Sequence, residues 1–332
     1  MYTTRPLSHY KSSPESLSIP PEGPNSGYLV IRDEKSIITC NLGTCTDPCI
    51  NNLPFPQNMR LIVKYHMDVG DPLSSYTNYD EVCLIPVINQ PLSCNRYYAI
   101  KADGKKNKGK AYTSSKEQDK PTCCFCFKYI QDIKPRPFDP NDIYQQFEFS
   151  VTKTSLNNNN NNNIMLLAKS VASDSHPPSF LRGQGWKMNV FPSNFTIGEA
   201  RGVNSSLRSH LPDFNFALHD QECSKSVIVG KWYCPFMFIK EGKVTEKEQL
   251  EKSMFYEMTL EQRWELVFGV ERNCNQGKVV TVDVDVLTET VKLAGQEAAQ
   301  DKTDNDKGVV WFKTINGRGK DEQVGLIELT DC

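Results

Sequence analysis

Short runs of β-branched and aromatic residues, each closed off by Gly, Pro, Asn or Asp, constrain this chain more than any other feature. Residues 27–31 (GYLVI), 61–65 (LIVKY) and 82–87 (VCLIPV) read as strands. So do 97–100 and 111–113, which flank a Lys-rich tip and suggest a long hairpin. Residues 280–286 (VTVDVDV) alternate strictly, as one half-buried strand does. Residues 291–293, 309–312 and 324–327 complete an antiparallel set. Strands arriving in runs, with few helices between them, predict an α+β fold rather than a doubly wound parallel sheet. The expected architecture is β-rich, mostly antiparallel sheets with a few short helices, in two closely packed subdomains.

Helix signals are sparse. The strongest follows Thr259 and Gln262, which have capping-box spacing; Leu260, Trp264, Val267 and Phe268 then fall on one helical face. Thr196 with Glu199, and Asn204 ahead of Pro212, mark shorter ones. Asp139 is placed to cap a short helix opening on Pro140, with Ile143 and Phe147 on one face. Seven consecutive Asn, 157–163, form a low-complexity loop at an exposed hairpin tip. The expected division is an extended lead over 1–26, a β-rich subdomain over 27–156, the Asn loop at 157–163 and an α+β subdomain over 164–332.

The 332 residues carry 38 Lys+Arg against 40 Asp+Glu, a net charge of −2. That balance argues against a general affinity for nucleic acid or an anionic membrane. The opening residues have no apolar h-region, Tyr2 excludes myristoylation, and no run reaches the roughly 18 apolar residues of a membrane span. The expectation is a cytoplasmic or nucleocytoplasmic protein. The 12 Cys are then thiols, or metal ligands.

Cys40, Cys45 and Cys49 with Cys123, Cys124 and Cys126 could supply zinc thiolates, but neither cluster has C-x2-C spacing; packed thiols explain them as well. Asp283 and Asp285 both fall on the polar face of an alternating strand, so a wet face is the default over a divalent-cation site. Lys101, Lys105, Lys106, Lys108 and Lys110, with Gly104 and Gly109, read as a solvated tip. Gly183-Gln184-Gly185 is a lone G-x-G without the third glycine of a dinucleotide cradle, and no Walker or kinase motif appears. His9, His66, His176, His210 and His219 are isolated from one another. No metal and no cofactor are expected.

What remains is residues 229–268. In 232–239 (WYCPFMFI) both faces of a strand are apolar, and Pro235, which cannot donate to a ladder, suggests an edge or a bulge. Glu257 sits among Phe255, Tyr256 and Met258. If a pocket opens there, Glu257 is the candidate acid or base and Cys234 the candidate nucleophile, with Trp232, Tyr233, Tyr256 and Trp264 lining a ligand. The alternative is plain core packing, with Glu257 paired to a cation such as Arg263.

The blocks GKWYCPFMFIKEG from Gly230, SMFYEMTLEQRWE from Ser253, INQPLSCNRYYAIK from Ile88, LPDFNF from Leu211, MYTTRPLSHYK at the start and PEGPNSGYLVI from Pro21 resemble the plant family of domain of unknown function 1262. The resemblance implies a plant source, and some members carry a label mentioning an insecticidal crystal toxin domain or are associated with stress and defence. It transfers no catalytic residue. The poly-Asn tract and an end at Cys332, short of where relatives run on, depart from the family. Two functions follow as expectations: a defence- or stress-associated protein that binds a plant small molecule or a protein partner, or a cofactor-independent isomerase, cyclase or hydrolase acting on a specialised metabolite.

Overall fold

The computed structural model describes residues 2–19, 21, 27–31, 38–40, 45–47, 61–68, 75–116, 118, 122–123, 127–154, 163–182, 187–190, 224–264, 290–293, 296–300, 309–314 and 322–327. The chain runs through β1 (Tyr2–Pro6), α1 (Leu7–Ser12), β2 (Gly27–Ile31), β3 (Ile38–Cys40), β4 (Cys45–Asp47), β5 (Leu61–Asp68), β6 (Ser75–Pro86) and β7 (Arg96–Lys101). There follow β8 (Ser115–Lys116), β9 (Thr122–Cys123), β10 (Phe127–Lys128), β11 (Gln146–Thr154), β12 (Asn163–Ser170), β13 (Ser175–His176), α2 (Ser179–Arg182) and β14 (Lys187–Val190). The last stretch holds β15 (Val227–Pro235), β16 (Ile239–Glu241), α3 (Glu246–Lys252), β17 (Phe255–Gln262), β18 (Thr290–Leu293), β19 (Gln296–Gln300), β20 (Val309–Thr314) and β21 (Glu322–Ile327).

A six-stranded sheet takes the order β12-β11-β7-β6-β5-β14, and a nine-stranded sheet β16-β21-β20-β19-β18-β17-β15-β1-β2. Every neighbouring pair in them is antiparallel except β1 with β2. The fold is the β-rich, mostly antiparallel α+β arrangement that the strand runs predict. Each large sheet draws strands from both sides of the Asn tract. β11 and β12 pair from Phe147↔Ser170 to Thr154↔Asn163, so the tract connects adjacent antiparallel strands.

Strand alternation explains why residues 82–87 are apolar throughout. Cys83, Ile85 and Val87, with Tyr98 and Ile100 of β7, enter one core that also holds Tyr2, Cys234, Phe236, Phe255 and Tyr256. Val82 and Leu84, with Tyr97 and Ala99, enter a second core with Phe147, Phe149, Phe180 and Leu181. The first core therefore joins the two large sheets. Tyr2, in the segment expected as an extended lead, is wholly buried there, and its hydroxyl donates to the Pro86 carbonyl at 2.8 Å.

Three local readings are corrected. Residues 259–262 do not open a helix: β17 pairs with β15 on one side and β18 on the other. Tyr256, Met258 and Leu260 recur every second residue and are buried, and two flanking strands satisfy the backbone that a helix would have satisfied internally. The helix of this region is α3, fourteen residues earlier. Thr245 Oγ1 accepts from Glu248 N and Glu248 Oε2 accepts from Thr245 N, a complete capping box. Around Pro140 there is no α-helix: residues 140–141 form a turn in which Asn141 N donates to Asp139 Oδ1, and Ile143–Gln145 a 3-10 helix in which Tyr144 N donates to Asp142 Oδ1; Phe147 is buried in β11 while Ile143 is exposed. Pro235 is neither on an edge strand nor at a bulge. It ends β15, an interior strand, where a 3-10 turn (Phe236–Phe238) begins, and the register shift lies between Ile228 and Gly230.

The Lys-rich tip is solvated only in part. Lys105 and Lys106 are exposed, but Lys108 reaches Glu251 at 3.2 Å with its side chain largely covered. Gly109 is buried at φ +85°, and a Cβ there would stand 2.9 Å from the Glu246 backbone. A side chain at this position meets two penalties, left-handed backbone and overlap with α3. Gly109→Ala should lose about 2–4 kcal/mol, read as a lower urea midpoint at constant m. An unchanged midpoint would show that the tip does not rest on α3.

Candidate functional site

β15 and β17 bring together most of the residues that the sequence nominated. Trp232 pairs with Met258, Tyr233 with Glu257 and Cys234 with Tyr256. Trp232, Tyr233, Cys234 and Tyr256 are all buried. Trp264 stands apart, beyond the end of β17, 37% exposed, its backbone joined to Ser224.

The two reactive candidates are not brought together. Side chains alternate along a strand, so Cys234 and Tyr256 project from one face, and Tyr233 and Glu257 from the other. The Cys234 thiol is fully buried and burial pushes its pKa up to about 11, so at neutral pH it is a protonated, poorly nucleophilic packing group. Glu257 is exposed; Lys231 Nζ lies 2.7 Å from its Oε2, and the Tyr233 hydroxyl donates to the same oxygen at 3.2 Å. Its partner is a cation, as the packing alternative expects, but Lys231 on the adjacent strand takes the role assigned to Arg263. Strand pairing explains the partner: with Tyr233 opposite Glu257 and Lys231 two residues from Tyr233, residues 231 and 257 share one face.

Sequence reasoning passed over Thr3. Tyr2 pairs with Tyr233 in antiparallel register, so Thr3 and Trp232, one step along, flank each other on one face. Thr3 is 1% and Trp232 7% exposed, and among the described residues neither Thr3 Oγ1 nor Trp232 Nε1 has a hydrogen-bond partner. An unsatisfied buried donor costs about 1–3 kcal/mol, and here the two residues sit on adjacent paired strands. The only sequence signal for Thr3 is a polar residue in a segment that no pattern marked as a strand.

Among the described residues no group of three or more His, Cys, Asp or Glu is placed to hold a metal ion. Cys40 and Cys45 are register partners in the β3–β4 pair, while Cys49, Cys124 and Cys126 lie outside the described residues. So do Gly183, Gly185, Asp283 and Asp285, His210 and His219, and the helix signals at Thr196, Glu199 and Asn204. No helix among the described residues is long and apolar enough to cross a membrane.

A β-rich α+β protein whose nominated site is an aromatic sheet face is the class that fold and geometry define. Residues 22–125 match the model of a family described as Protein of unknown function (DUF1262). The match includes β2 to β7 and stops short of β15–β17. A solved structure described as "Crystal structure of Cry35Ab1" is similar at 9% identity with a TM-score of 0.37, covering 64% of this chain and 55% of that one. No curated protein matches.

Proposed function

We propose that this is a plant cytoplasmic protein of defence or stress responses that binds a small molecule without transforming it, at the Thr3–Trp232 face. One observation carries the binding reading: an indole N–H and a hydroxyl on paired strands, both buried and each without a hydrogen-bond partner among the described residues. Paired by a carbonyl or carboxylate oxygen of a ligand, both atoms would regain the bonds that burial removed. The plant, compartment and defence elements rest on the sequence blocks described above, such as INQPLSCNRYYAIK from Ile88. Catalysis is the weaker reading because Cys234 and Glu257 lie on opposite faces, one buried and the other ion-paired in solvent.

The test is Trp232→Phe, which keeps most of the ring and removes the N–H. Wild type and variant are incubated with a plant extract, and metabolites both retained and altered are measured by mass spectrometry. Wild type should retain a compound that the variant loses by about tenfold, equivalent to about 1.4 kcal/mol. The variant's melting temperature should be unchanged or higher, since removing an unpaired buried donor relieves a cost. Retention of nothing by wild type, or equal retention by both, would sink the reading. A metabolite transformed by wild type but not by Glu257→Gln would replace it with the enzymatic one.

A further inference from the structure

We propose that the surface strap over residues 134–140 is a docking site for an SH3 domain, a module whose aromatic groove takes prolines and whose acidic pocket takes a cation. The strap reads Lys-Pro-Arg-Pro-Phe-Asp-Pro. Lys134, Pro137 and Pro140 stand three apart, the spacing of a cation followed by P-x-x-P.

Proline dictates most of this backbone. Pro135, Pro137 and Pro140 hold φ at about −65°. Lys134, Arg136 and Asp139 each precede a proline and are driven to extended conformations. Up to Asp139 the strap accordingly holds neither helix nor strand, only an isolated antiparallel bridge from Arg136 to Ala111.

A polyproline II chain has three residues per turn, so its side chains form three edges. Pro135 and Phe138 share the edge laid on the protein: both are half-buried, and Phe138 stands edge-on to Tyr98 at 4.9 Å and to Phe238 at 5.1 Å. The other two edges are open. Lys134, Arg136, Pro137 and Asp139 are exposed, and Pro140 is half-buried. A groove laid against a polyproline II ligand contacts two edges and leaves the third, so the edge anchored in the core does not obstruct docking.

The strap is ordered before any partner arrives. Arg136 exchanges two backbone hydrogen bonds of 2.9 Å with Ala111. Gln145 accepts from Asp139 N at 3.0 Å and donates to the Pro137 carbonyl at 3.1 Å, and the Tyr98 hydroxyl donates to the Pro140 carbonyl at 2.8 Å. Such ordering removes a cost that a disordered proline-rich tail meets on binding. A carbonyl oxygen has two lone pairs, so those of Arg136 and Pro137 keep an acceptor site for a groove donor.

Charge selects the kind of groove. Neither Lys134 nor Arg136 forms an ion pair among the described residues, and Asp132, just before the strap, is held by Arg182. Asp139 is the one acid within residues 134–140. It lies about 15 Å from Lys134 on a chain rising about 3.1 Å per residue, beyond the screening length of about 8 Å. The amino-terminal end of the strap is therefore cationic, and an acidic pocket is its complement.

Isothermal titration of the full chain with a purified SH3 domain that reads a cation followed by P-x-x-P tests the site. Saturable binding is expected, and it should weaken about tenfold in Pro137→Ala, which removes a ring from the open edge. Lys134→Glu should weaken it about as much, and should do so by less at high salt. Lys134 is exposed, so this variant should keep the wild-type melting temperature, and its lost binding cannot be lost folding. Lys225→Glu, an equal charge change on an exposed residue elsewhere, should stay within about twofold. The inference is overturned if the SH3 domain does not bind saturably, or if Pro137→Ala and Lys134→Glu bind as wild type does. It is also overturned if Lys225→Glu weakens binding as much, or if a WW domain binds and the SH3 domain does not. None of these outcomes bears on the Thr3–Trp232 face.

Discussion

Raising the pH from about 8 to about 11 under reducing conditions should remove several kcal/mol of stability, well beyond what exposed groups deliver. The cause is burial of neutral acids in the core between the sheets. Cys83 is pushed up from 9.0 to about 12 and Cys234 to about 11, both by desolvation; Tyr2 and Tyr98 are raised for the same reason. A raised folded pKa means that the unfolded thiol loses its proton first. Stability is therefore complete below about pH 9 and falls as pH climbs from there toward 11 and 12. Each pH unit over which a thiol stays protonated only in the fold is worth about 1.4 kcal/mol. Chemical denaturation at the two pH values reads the loss directly. Cys83→Ala/Cys234→Ala should flatten the fall, leaving the residue due to the tyrosines. A midpoint that does not move between the two pH values would show that these thiols are not sequestered.

The Tyr2→Ala variant should lose about 3–5 kcal/mol, the cost of removing a large buried ring. Tyr2 is wholly buried, and its ring crosses the place where any side chain of Gly27 would sit, with 2.8 Å between its Cε1 and a Cβ built there. Its hydroxyl ties the nine-stranded sheet to Pro86 at the end of β6 in the other sheet. Tyr2→Phe isolates that bond and should cost about 1–2 kcal/mol by leaving a buried carbonyl short of a donor. Urea midpoints of the three proteins decide it. Equal midpoints for wild type and Tyr2→Ala would show that the amino-terminal strand is not part of the cooperative unit.

Much of the fold was legible because strand periodicity is a local property. Residues 27–31, 61–65, 97–100, 291–293, 309–312 and 324–327 all lie within strands. The failure at 259–268 has a definite cause. Thr259-x-x-Gln262 and Thr245-x-x-Glu248 are equivalent capping patterns, and only one caps a helix. Leu260 and Trp264 fit a helical face, yet Tyr256, Met258 and Leu260 fit period two, and local spacing cannot choose between them. Pairing to both β15 and β18 chooses.

Along the chain, residue types set which segments are apolar enough to be buried and that most of them are strands, since side-chain period and turn chemistry act over a few residues. They also marked Trp232, Cys234 and Tyr256 as interior. Strand register decided the rest: that Cys234 and Glu257 face opposite ways, that Lys231 neutralises Glu257, and that Thr3 meets Trp232. It also brought a lysine tip onto an acidic helix. Such juxtapositions depend on which distant strands pair and in what phase. A shift of one residue reverses every face, and that phase is written in contacts between segments, not in any one of them.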